Sequence, residues 1–173
     1  PYGYGVYVNR NYGVKSGTNN DDYLPTNLVT SITNGVGVEN TWDYLPLSSG
    51  QGGLNENAPH YTLGSNYAAG YLNFTSSMYA VSNFKQSNGV GGFTEKKYSY
   101  LGAVYNLEGR GFMGFKSISE EDVNAGLVTQ SDFEQIFPYQ GKLTRQATFA
   151  KANYASHDLL NSENSETQAL SFK

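Results

Sequence analysis

Along most of the chain apolar and polar positions alternate with a period of two, and short segments rich in glycine and asparagine interrupt the alternation. Such a period places successive side chains on opposite faces of a strand. In residues 2–8, YGYGVYV, it puts Tyr2, Tyr4, Val6 and Val8 on one face. Residues 28–33 (LVTSIT) and 38–44 (VENTWDY) flank Asn34-Gly35-Val36-Gly37, and residues 78–86 (MYAVSNFKQ) and 93–100 (FTEKKYSY) flank Asn88-Gly89-Val90-Gly91. Asn-Gly between two alternating runs is a hairpin signal, because both residues tolerate the positive φ that tight turns demand. The two turns are identical, and a tyrosine follows each asparagine by ten residues (Tyr44 and Tyr98), so the sequence predicts two copies of one hairpin plan.

A third pair, residues 115–119 and 127–137, is joined by an acidic connection. In its second arm Leu127, Thr129, Phe133 and Phe137 share one face and Val128, Asp132, Glu134 and Ile136 the other, so neither face is purely apolar. A fourth unit begins at residues 142–154, and the polar tail beyond it reads as weakly ordered or as an edge strand. Between the first two hairpins, residues 46–77 are rich in Gly, Asn and Ser. They form a long insertion over the sheet, with one short strand near GYLNF; loops of that length are usually functional or flexible. The best helix signal is SEEDVNAGL (119–127), where Ser119 caps a first turn carrying Glu120, Glu121 and Asp122. Gly126 limits it to a turn or two, and the segment reads equally well as a polar hairpin connection. The fold class is therefore all-β: antiparallel hairpins with a long loop insertion and little helix. Nothing indicates that the last hairpin pairs with the first. Exposed edges are rarely tolerated, which favours a slice of something larger over a barrel closed by another route.

Composition sharpens this picture. A chain of 173 residues suits one ordinary domain. Charged residues make up only 15% and aromatics 14%, a balance that suits sheets with rings packed across strands. A net charge of −4 without a basic stripe argues against a nucleic-acid partner. The absence of cysteine removes disulfides, thiolate zinc sites and thiol nucleophiles. No apolar run approaches the roughly 20 residues of a transmembrane helix, and PYGYGVYVNR has neither the charged start nor the apolar middle of a signal peptide. Low charge, no cysteine and abundant Asn, Tyr and Gly are compatible with an extracellular bacterial protein.

Candidate chemistry is sparse. GRGFMGF (109–115) matches the letters of a dinucleotide loop through Gly109, Gly111 and Gly114, but strand alternation continues where a helix is required and no P-loop lysine is present. As a strand it reads coherently. Gly109 ends the turn YNLEG. Gly111 and Gly114 let a neighbouring strand or ring approach. Phe112 and Phe115 lie on opposite faces unless a bulge at Gly114 brings them together. Arg110 pairs with a carboxylate such as Glu108, covers an aromatic face, or stands solvated. His60 and His157 lack a nucleophile context and read as surface histidines. Glu120-Glu121-Asp122 and Asn19-Asn20-Asp21-Asp22 miss the alternating spacing that wraps calcium and read as solvated loop charges. Tyr61, Tyr67 and Tyr71 offer an unspecific aromatic surface for a sugar. No catalytic, cofactor-binding or metal-binding residue is assigned, and no cofactor is expected.

An ordered set of motifs carries a resemblance. Tyr98 and Tyr100 form a Y-x-Y pair, Gly109, Arg110, Gly111, Phe112, Gly114 and Phe115 form G-R-G-F-x-G-F, and Gln135, Phe137, Pro138 and Gly141 form Q-x-F-P-x-x-G. In this order they resemble the middle region of Tc-toxin B components and SpvB-like proteins, from about Leu28 to Arg145. LVTSITNGVGVENTWDY, with its turn Asn34-Gly35, also looks like the start of a YD/RHS-type unit. The resemblance divides the chain into an N-terminal strand and connection (1–27), a Tc-B-middle-like β region (28–145, insertion 46–77) and a C-terminal strand or tail (146–173). It implies part of a wound β-sheet shell that encloses toxic cargo, within a larger secreted or bacterial-surface toxin chain completed by a C-type shell component. No catalytic residue carries over, and the glycine motif becomes a landmark of the wall. The other reading is a free-standing β-sandwich that binds a glycan or protein through the tyrosine-rich insertion.

Overall fold

The computed structural model describes residues 14–15, 23–24, 27–50, 52–54, 58–65, 68–154 and 171–172. The strand expected over residues 2–8, the cluster Asn19–Asp22, Tyr67 and His157 lie outside them. The described strands are β1 (Val14–Lys15), β2 (Tyr23–Leu24), β3 (Ser31–Thr33), β4 (Glu39–Pro46), β5 (Tyr61–Thr62), β6 (Tyr71–Asn73), β7 (Tyr79–Ser87), β8 (Phe93–Leu101), β9 (Val104–Asn106), β10 (Gly111–Phe112), β11 (Ser117–Asp122), β12 (Leu127–Phe133), β13 (Leu143–Ala150) and β14 (Ser171–Phe172). The chain is all-β. A single 3-10 turn, Lys151–Asn153, is the one helical element among the described residues.

A nine-stranded sheet runs in the order β14-β13-β12-β11-β8-β7-β4-β3, with β5 beside β8; β10-β9-β6 form a second, three-stranded sheet and β1-β2 a two-stranded one. All pairings are antiparallel except β5 with β8. The two repeated hairpins form as their sequences predict, β3-β4 and β7-β8. Their tips use one device. The Asn34 side-chain oxygen accepts the Val36 and Val38 N–H groups at 3.0 and 2.9 Å. The Asn88 oxygen accepts those of Val90 and Gly92 at 3.0 and 2.9 Å. Gly37 and Gly91 follow with φ of +82° and +90°. Each asparagine thus supplies the acceptor that its own turn lacks. Asn34→Ala or Asn88→Ala is expected to cost about 1 kcal/mol in urea denaturation through these lost bonds. The downstream tyrosines diverge: the Tyr44 hydroxyl donates to Val29 O at 2.8 Å, whereas Tyr98 bonds Glu120.

The helix signal at 119–127 is overridden. Ser119–Asp122 belong to β11, paired on both sides, and only the residues after Asp122 turn. Two neighbouring strands satisfy the backbone there better than one or two helical turns, because tertiary pairing outweighs a local cap. The acidic residues consequently lie in a strand, not in a connection.

One face of the sheet carries an unusual core. Ser99, Ser119, Gln130 and Ala147 follow one another across β8, β11, β12 and β13, with Glu121, Val128 and Phe149 in the next row, and all of them are buried. Leu54 from the insertion and Tyr154 cover Val128, Ala147 and Phe149. Two of the buried polar side chains are bonded within it: Tyr154 donates to Ser119 Oγ at 2.8 Å, and Gln130 to Asp132 at 2.9 Å. A second cluster packs Leu47, Tyr61 and Ala103 against Phe74, Ala80, Tyr100 and Phe115. The insertion is therefore integral to the fold, contributing Leu54, Tyr61 and the short strand β6.

Its entry is through a split between two strands. β7 pairs with β8 only from Asn83 to Ser87; toward Ala80 its partner is β4. β11 occupies the other edge of β8, so β5 takes the place that β7 vacates, beside Tyr100 and Leu101.

Candidate functional site at the junction of the two glycine motifs

The chain leaves β9 through a turn in which Asn106 Oδ1 accepts the Glu108 N–H at 2.9 Å, and Gly109 closes that turn with φ +92°. β10 then pairs back on β9, with Gly111 opposite Asn106 and Phe112 opposite Tyr105. Gly111 and Gly114 have φ of +76° and +89°. The expectation that they admit a close neighbour is corrected. A Cβ on Gly111 would lie 3.8 Å from the Tyr105 ring, and one on Gly114 would meet nothing within 4 Å. Backbone conformation, not space, requires glycine at both positions. Gly111→Val is accordingly expected to cost about 1–2 kcal/mol, and Gly111→Asn clearly less, because asparagine tolerates the left-handed region. Equal losses for the two variants in urea denaturation would indicate a clash instead.

The left-handed kink at Gly114 ends the alternation, and Phe112 and Phe115 lie with ring centroids 5.6 Å apart. Phe74 meets Phe112 at 5.1 Å and Tyr100 meets Phe115 at 4.6 Å, so the second tyrosine of the Y-x-Y pair packs on the last residue of the glycine motif. The Tyr100 hydroxyl donates to Val81 O at 2.9 Å, and burial raises its pKa. Tyr98, one pleat earlier, is pushed up to about 12, by burial first and the Glu120 charge second.

The Q-x-F-P-x-x-G segment closes onto the same place. Gln135 Nε2 donates to Gly102 O at 2.7 Å and to Gly114 O at 2.9 Å. Arg110 lies 4.0 Å over the Phe137 ring while its guanidinium meets Glu108 at 3.4 Å, so it makes both contacts that its position suggests. The Phe137 N–H donates to Tyr71 Oη at 3.3 Å, and the Phe137-Pro138 peptide is cis. Gly141, φ +80°, donates to Glu134 O at 2.8 Å and shuts the loop. Motifs more than twenty residues apart thus form one junction. Asn34, Gly35, Asn88 and Gly89 stand apart from it at the hairpin tips. Gln135 is the junction's central residue, and only its place in the motif, just before F-P, hints at that in the sequence.

Beside the junction opens a cleft of about 440 Å³ lined by Tyr71, Val104, Lys116, Glu134, Gln135 and Thr144, among others. Glu134 spends its carboxylate on the N–H groups of Gln135 and Ile136, at 3.0 and 3.1 Å. That arrangement fixes a loop. Glu120 and Glu121 project to opposite faces of β11, to Lys96 at 2.6 Å and Lys151 at 2.7 Å, and so do not converge on an ion. Among the described residues no cluster of His, Cys, Asp or Glu is arranged to hold a metal, and no helix is long and apolar enough to cross a membrane.

Two expectations fail here. His60 is not at the surface: it is fully buried, its ring edge-on to Tyr100 at 5.1 Å, in the split between β7 and β8. Tyr61 does not present a face to sugar: it is in the core, and its hydroxyl donates to Phe74 O at 2.7 Å. Both residues follow a loop that reads as polar, and only the distant splay of two strands buries them.

The family model of the insecticide toxin TcdB middle/N-terminal region matches residues 3–142. The match takes in almost all of the first 27 residues, which the motif resemblance leaves out, and contains the whole junction. No curated protein and no solved structure matches the chain. With most of its length matched, and with the motifs gathered at one structural junction, the chain belongs to the insecticide toxin TcdB middle/N-terminal region family.

Proposed function

We propose that this chain is a non-enzymatic wall segment of a secreted or bacterial-surface Tc/SpvB/RHS-type toxin, contributing strands to a β-sheet shell around toxic cargo. Its partners are the remainder of a larger toxin chain and a C-type shell component. The observation that carries this reading is the open sheet: among the described residues the path ends on β3 at one side and β14 at the other, and neither end has a further partner. An unpaired edge is a template for another strand, and in a wound sheet each turn covers the edges of the one before. A second observation agrees. Leu72, Tyr105 and Phe112 lie side by side across β6, β9 and β10 and are all exposed, an apolar row that a larger chain would cover.

Hydrogen exchange tests the edges. Amides of β3 are expected to be protected at least tenfold more in the native gene product than in the 173-residue chain alone. Equal exchange in both would mean that no neighbouring strand covers that edge. Of the tyrosines in the glycan-binding reading that are described, Tyr61 is core and the Tyr71 hydroxyl accepts the Phe137 N–H, so neither supports it.

A further inference from the structure

We propose that His60 is a pH-sensitive latch that holds β5, the strand the insertion contributes to the large sheet, in the split between β7 and β8 near neutral pH and releases it in acid. Three geometric facts carry the inference. The imidazole is fully buried, and neither ring nitrogen makes a hydrogen bond of normal geometry. Burying a neutral imidazole without good partners costs free energy, and burying an imidazolium with no counter-charge costs far more. The residue also sits where the insertion is fastened. His60 O accepts Tyr100 N–H at 2.9 Å, Thr62 O accepts Gly102 N–H at 2.9 Å, and Tyr61 Oη accepts Ala103 N–H at 3.1 Å. Finally, β5 is a two-residue strand joined to the sheet along β8 alone, so freeing it breaks the bonds to Tyr100, Gly102 and Ala103 and lifts Tyr61 from its cluster.

The groups around the ring offer no counter-charge. From β8 they are the Tyr100 phenol, which burial keeps neutral far above neutral pH, and the backbone of Tyr98; from β7 the neighbour is the backbone of Ala80. Among them only the backbone of Tyr98 and Ala80 favours the charged ring, and desolvation outweighs both, lowering the pKa to about 4 from 6.5. The sign follows. Between those two values the released histidine binds more protons than the latched one, so falling pH drives release, and the latch is fully closed above about 6.5. Histidine is the side chain whose ordinary titration falls between pH 5 and 8. Neither β12 nor β13 contains one, so those strands serve as an internal control at pH 5.

Hydrogen exchange by mass spectrometry on the native gene product, at pH 7.5 and pH 5.0 and corrected for intrinsic rates, tests this. At pH 5.0 protection of the Tyr100 and Gly102 amides is expected to fall by roughly tenfold or more, while β12 and β13 keep theirs. His60→Gln and His60→Leu remove the titration, so in either variant that folds the ratio between the two pH values flattens. Unchanged protection in the unaltered protein, a uniform loss across the whole sheet, or a pH response that survives in a folded variant would each overturn the latch.

Discussion

Replacing Lys151 by methionine is expected to destabilise the protein by about 3 kcal/mol, a larger loss than that of any turn or junction variant. Its ammonium meets the Glu121 carboxylate at 2.7 Å and also donates to the carbonyl of Leu54. Glu121 is buried on the sheet face beside Val128 and Phe149. Methionine fills much the same volume but leaves a carboxylate in that setting with no cation. Removing one partner of a buried pair strands the other charge, and that penalty exceeds what the pair itself contributes. The double variant Lys151→Met/Glu121→Leu is therefore expected to recover much of the loss. For a chain of this size the single variant should melt roughly 6 to 12 °C lower. A melting temperature unchanged by Lys151→Met would show that the ion pair is solvated.

Gln135→Leu is expected to cost about 2 kcal/mol. The amide ties Gly102 O and Gly114 O, at 2.7 and 2.9 Å, and so joins the end of β8 to the kink of the glycine motif. Both carbonyls keep a second, longer bond, Lys116 N–H to Gly102 at 3.2 Å and Val104 N–H to Gly114 at 3.3 Å. This places the loss below that of a fully orphaned acceptor. Leucine preserves the bulk, so lost hydrogen bonding dominates. The signature is local: exchange of β10 and of the 133–141 loop should quicken more than that of β12 and β13. Loss confined to the hairpin tips, with the junction unaffected, would contradict the role given to Gln135.

What the sequence discloses follows from how far each determinant reaches. The repeated hairpins are legible because Asn34 and Asn88 build their turns from residues at most four positions away. The kink at Gly114 is legible as a bulge, and its consequence, Phe112 meeting Phe115, depends on the local backbone alone. Gly111 reads as a demand for space when the demand is for φ, since spacing does not distinguish the two. The Ser119–Glu121 stretch is ambiguous because its partners, Tyr154 and Lys151, lie some thirty residues on. His60 is misread for the same reason. Nothing near it in the chain records that β7 leaves β8 at Asn83 and opens a buried slot. The meeting of G-R-G-F-x-G-F with Q-x-F-P-x-x-G is invisible as a contact, although both motifs are visible as letters.

The most direct test of the wall reading is the intact mass of the native gene product, with negative-stain electron microscopy of the same sample. The expected result is a chain several times larger than 18.9 kDa that forms hollow particles, with these strands in the wall. A stable, solid particle of 18.9 kDa would contradict it, because the two open edges would then need no neighbour.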